Sequence, residues 1–108
     1  MPADNKSGPQ ATRAYHLFLQ ELSGHLAFAR ELVSTPREQQ DDWDELARAV
    51  HMVKGGAGFF GLSEVAGIAA QLEARLRQPL NAVLKQCDEL TKLVAELEKI
   101  EKTLPGKD

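Results

Sequence analysis

Apolar residues in this chain recur every three or four positions in four successive runs, each closed by a helix-breaking signal. That spacing lines up one face of a helix, and nothing alternates with the period of two that a strand needs. The first run, from about Thr12 to Val33, carries Tyr15, Phe18, Leu19, Leu22, Leu26 and Ala29 and stops at Ser34-Thr35-Pro36. The second extends from Gln40 or Asp41 to Phe60. Its acidic start (Asp41, Asp42, Asp44, Glu45) complements the helix dipole, and Gly61 suits its C-terminal cap. Ser63 reads as the N-cap of a third helix through about Arg77, with Val65, Ala66, Ala69, Leu72 and Leu76 on one face, and Gln78-Pro79 breaks it. The fourth, from about Asn81 to Leu104, is striped by Val83, Cys87, Leu90, Val94 and Leu97. Four amphipathic helices on short loops predict an all-α fold, an antiparallel up-down four-helix bundle over residues 11–104. Residues 1–10 and 105–108 read as flexible tails.

At 108 residues this is one domain, and 43% hydrophobic content is enough to build a packed core. The net charge of −3 is weak and carries no basic patch, which argues against nucleic acid as a partner. Cys87 is the single cysteine, so no internal disulfide forms and a reducing compartment fits. The apolar runs are shorter than a membrane span, and residues 1–12 are too polar for a signal peptide. The expected location is cytoplasmic, without direct membrane contact.

One segment conflicts with its own helical period. His51-Met52-Val53-Lys54-Gly55-Gly56-Ala57-Gly58-Phe59-Phe60-Gly61 keeps Val50, Val53, Ala57 and Phe60 in step while placing glycine at 55, 56, 58 and 61. Each interior glycine costs a helix roughly 1 kcal/mol, so the three before Gly61 cost about 3 kcal/mol. A whole domain is held together by only about 5–15 kcal/mol. Such a concentration requires a reason next to His51.

A helical wheel supplies one. Trp43, Leu46, Val50, Val53, Ala57 and Phe60 fall on the arc opposite His51 and so face the core. Asp44, Ala47, Arg48, Lys54, Gly55 and Gly58 fall within about 60° of His51, at the centre of an outward face. Phe59 lies about 80° away, partly exposed, and with Ala47, Met52 and Leu62 forms an apolar rim. Gly56 sits to the side, where it relieves packing against a neighbouring helix. An outward neutral imidazole is a nucleophile suited to phosphoryl transfer. Lys54 can bring a positive charge to the phosphoryl oxygens, and Gly55 and Gly58 let a partner's surface close over the ring.

The stretch HMVKGGAGFFG, residues 51–61, resembles the histidine-containing phosphotransfer (HPt) domain of two-component phosphorelays, with its His-x-x-Lys-Gly pattern and later glycine. KGGAGFFG is especially similar to the phosphorylated N-terminal domain of chemotaxis histidine kinases. The resemblance implies His51 as the phosphorylated residue, Lys54 as the phosphate-facing lysine, and Gly55 and Gly58 as close-approach positions. Gln71-Leu72-Glu73 stands where such domains often carry a Leu-Glu pair. Glu73 would then accept from the second ring nitrogen of His51 and fix its tautomer. The implied partners are a sensor histidine kinase and a response-regulator receiver domain, docking around Ala47, Arg48, Gly55, Gly58 and Phe59. No cofactor is expected in this chain; a divalent metal belongs to the receiver. No ATP-binding motif is present, so autonomous kinase activity is not expected. A free carrier and a segment of a larger sensor or hybrid kinase both remain open.

The competing readings are weaker. A non-phosphorylated docking or oligomerising helical module leaves the glycines unexplained. His16 and His25 lie on opposite faces of the first helix, and the chain lacks zinc-type spacings, so no metal site is expected. Cys87, on the apolar stripe, reads as a core residue rather than a nucleophile.

Overall fold

A computed structural model describes residues 12–106. Its regular structure is all helical: α1 (Arg13–Ser34), α2 (Gln40–Phe59), α3 (Ser63–Leu76), α4 (Leu80–Lys85) and α5 (Cys87–Glu101). α1 packs against α2 and α5, and α3 also packs against α2 and α5, so the four long helices enclose one core, with α4 attached to α5. Trp43, Tyr15, Leu22, Leu46, Leu72 and Leu90 are among its largest fully buried side chains. None of the helices among the described residues is long and apolar enough to cross a membrane.

Local chemistry explains the helix ends. Thr12 caps α1 by accepting from the Tyr15 backbone N–H at 3.1 Å. Gly61, at φ +76°, closes α2: its N–H bonds to Gly58 O at 3.2 Å and the Leu62 N–H to Ala57 O at 2.8 Å. This double return is the Schellman arrangement, and glycine takes the left-handed turn without strain. It also moves the start of α3. Ser63 is the first helical residue rather than the cap, because Leu62, buried and tied back to α2, occupies the cap position.

The expected fourth helix is two helices. The backbone turns at Gln86, whose N–H bonds to Val83 O at 3.0 Å, a three-residue step in place of four. The Gln86 side chain is held from outside its own helix, accepting from Arg75 at 2.9 Å and donating to Gln78 at 3.0 Å. The apolar stripe continues across the break, with Val83, Leu90, Val94 and Leu97 all buried.

The C-terminal residues expected as a tail begin with an anchored one. The Tyr15 hydroxyl donates to Pro105 O at 2.6 Å, and Leu104 is buried. Residues 1–11 and 107–108, which include the expected N-terminal tail, lie outside the described residues. Between α1 and α5, Arg30 bonds Glu98 through two nitrogens, at 2.7 and 3.2 Å. The loop after α1 is pinned by the Trp43 indole, which donates to Arg37 O at 2.7 Å.

Candidate functional site

His51 projects from the middle of α2 with a side chain 60% exposed, and its ring is held from behind. Glu73, on the facing side of α3, brings Oε2 to 3.0 Å from His51 Nδ1. The carboxylate is nearly enclosed, its residue 8% exposed. Two cations join the imidazole on it: Lys54 Nζ lies 2.8 Å from Oε1, while Arg77 Nε and Nη2 lie 3.1 and 2.9 Å from Oε2.

These donors keep Glu73 ionised. The bond from Lys54, aided by Arg77, His51 and the Lys54 charge, lowers its pKa from 4.5 to about 2, overcoming the upward push of burial. An ionised carboxylate only accepts hydrogen bonds. Nδ1 of His51 therefore donates to Glu73, and in the neutral ring the lone pair falls on Nε2.

The glycines divide into two kinds. A Cβ at Gly56 would meet the Phe18 ring of α1 at 2.7 Å, so close α1–α2 packing explains this residue. At Gly55 and Gly58 a Cβ would meet nothing within 4 Å, and both residues are exposed. No contact within the fold accounts for glycine at either position.

Two expected rim residues, Ala47 and Leu62, are buried. Ala47 is buried at 1% exposure and cannot reach a docking partner. It lies about 40° from His51 on the same side as Lys54, and that side is covered by α3. Leu62 is likewise buried. On the opposite side the surface is open: Arg48 is exposed, Met52 is 57% exposed and Phe59 is 73% exposed. A groove between α1 and α2 continues this surface past Gly24, His25, Phe28 and Ala49.

Arg77 was not singled out by the sequence, where it marked only the end of the third helix. The available signal was its place four residues after Glu73, one helical turn away. Cys87 is half-buried, and burial, with Asp88, pushes its thiol up, away from the reactive thiolate. Among the described residues no group of three or more His, Cys, Asp or Glu side chains is placed to hold a metal ion.

Searches of curated proteins and of solved structures found no match. A family model, that of the Hpt domain, matches residues 13–100. The site lies wholly within that span, and the chain belongs to the Hpt family, whose members take part in phosphotransfer with histidine kinases and response regulators in two-component signalling.

Proposed function

We propose that the chain is a phosphohistidine carrier in a His–Asp relay and that Nε2 of His51 is the atom that carries the phosphoryl group. The observation that carries this reading is an exposed imidazole whose inner nitrogen donates to a buried, ionised carboxylate. In the transfer step the Nε2 lone pair forms the N–P bond, and the bond from phosphorus to the donor oxygen breaks. When the donor is a receiver aspartyl phosphate, the electron pair stays on the receiver's carboxylate. The ring keeps its Nδ1 proton and gains positive charge, which Glu73 offsets at 3.0 Å. Lys54, one turn along, exchanges its bond to Glu73 for the incoming phosphoryl oxygens. Return transfer reverses each step.

The receiver docks over His51 on the open side, against Arg48, Met52, Gly55, Gly58 and Phe59. Bare backbone at Gly55 and Gly58 admits its phosphorylated pocket to in-line distance. A divalent metal bound by the receiver completes the charge balance, and this chain needs no cofactor of its own. The long helices run alternately up and down as one bundle, which short connections and the α1–α2–α3–α5 packing favour. The working location is cytoplasmic, where kinases and receivers meet.

The test is phosphate acceptance. The purified chain and a His51→Gln variant are incubated with a small phosphoramidate, then with a phosphorylated receiver, and intact mass is read. Gain of one acid-labile phosphoryl group by the parent alone is the expected result. No gain from either donor by a folded chain refutes the carrier reading and leaves a docking module.

A further inference from the structure

Arg77 is bonded more closely to this site than a surface arginine needs to be. It is the C-cap residue of α3, its backbone N–H bonded to Glu73 O at 3.0 Å, and its side chain folds back onto the carboxylate of the same residue. An exposed i, i+4 ion pair normally contributes a few tenths of a kcal/mol and no function. Here the acceptor is enclosed rather than exposed, and the oxygen contacted is the one that also receives His51 Nδ1. Lys54 holds the other oxygen. The two cations therefore do different things to one carboxylate.

We infer that Arg77 is a positioning residue for transfer at His51, holding Glu73 Oε2 against Nδ1 at the moment Lys54 lets go of Oε1. The inference rests on the carrier reading above. Lys54 cannot serve the phosphoryl oxygens and Glu73 equally well, since its ammonium is a compact point charge. Once it moves, a buried carboxylate held only by an imidazole would be poorly compensated and would turn away or take up a proton. Arg77 keeps two N–H groups on Oε2 through that exchange. Its own position is secured by the end of α3, where a cation is favoured by the helix dipole and Pro79 prevents further winding. Lys54 and Arg77 are thus partly redundant in the resting protein, and more of the hold on Glu73 falls to Arg77 when the lysine is engaged or absent.

The experiment uses Arg77→Gln, Lys54→Gln, the double variant and Arg77→Lys, each checked for helical content. Two quantities are read: the His51 tautomer, from the ¹⁵N shifts of its ring, and the rate of phosphoryl uptake from a phosphorylated receiver. Arg77→Gln alone is expected to slow uptake about threefold, and in the Lys54→Gln background about tenfold or more, a coupling usual for members of one hydrogen-bonded network. The Nδ1–H tautomer should persist in each single variant and be eroded in the double one. Arg77→Lys should restore part of the rate, because it keeps the charge while losing the paired N–H groups. If the parent takes up phosphate but Arg77→Gln changes neither tautomer nor rate in either background, Arg77 is only a helix-end ion pair and the inference falls. Should the double variant not fold, an Arg77→Gln rate equal to the parent's is by itself enough to overturn it. A parent that accepts no phosphate instead refutes the carrier reading; the tautomer then still decides whether Arg77 holds Glu73 to the ring.

Discussion

Glu73 and Glu98 are both glutamates on inter-helix seams, both paired with cations and both with lowered pKa values, yet they have different uses. Glu98 meets one arginine, Arg30, across α1 and α5, and about a third of each side chain is exposed. Glu73 is enclosed on α3 and accepts from Lys54, Arg77 and an imidazole together. A seam needing only a strut is served by one exposed pair. Three donors on a buried carboxylate exceed what packing α2 on α3 requires, since replacing buried ion pairs by apolar side chains is often neutral or stabilising. The proposed role of Glu73 in orienting the His51 ring accounts for the surplus.

The sharpest way to break this comparison is to remove the two charges in turn. Glu73→Gln is expected to cut phosphoryl uptake by about 10–100-fold, the scale seen when a metal-ligating histidine loses its orienting partner. Glu98→Gln should leave uptake unchanged and lower stability by less than about 1 kcal/mol, measured by urea denaturation. Equal effects on uptake would erase the distinction.

The glycines extend the same contrast to packing. Gly56→Ala drives a methyl into Phe18, and overpacking of this kind costs about 1–3 kcal/mol, partly offset by helix propensity. Gly58→Ala meets open space and should stabilise by up to about 1 kcal/mol on the same propensity scale. Gly58→Leu should keep the fold, by thermal denaturation, while slowing transfer to a receiver. Unchanged transfer in that variant would remove close approach as the reason for this glycine.

A pH series sharpens the comparison further. The Glu73 pKa is depressed on folding, so its contribution to stability is complete above its ordinary 4.5 and disappears as pH falls toward about 2. The urea midpoint should drop across that window in the parent and drop less in Glu73→Gln. The smallest effect expected is from Phe59→Ala. With 73% of the residue exposed, stability should change by under about 0.5 kcal/mol, while receiver affinity, read by titration calorimetry, weakens.

Much of this was legible because helical period and helix punctuation act locally. The spans of α1 and α2, the opposite faces of His51 and Val53, and the packing role of Gly56 all follow from residues a few positions apart. What was hidden depends on neighbours across space. A wheel centred on His51 gives angles but not where the next helix lies, so it could not separate Ala47, under α3, from Arg48 in the open. The break at Gln86 leaves the apolar period intact, and the side chain at the break is bonded to Arg75 and Gln78 outside that helix. Arg77 was in plain view four residues after Glu73, but its meaning needed the burial of that glutamate.

The bond from Tyr15 to Pro105 fixes where the two ends of the described residues lie relative to His51. It brings residue 105 beside the first turns of α1, so both ends of the described chain sit at one pole of the bundle. Tyr15 also meets the Phe60 ring at 5.3 Å, which puts that pole at the end of α2, about 13 Å of helix axis from His51. Thr12 and Pro105 therefore share one end of the bundle, set back from His51 along α2. The exposed face around His51 is thereby left clear of both ends of the described residues.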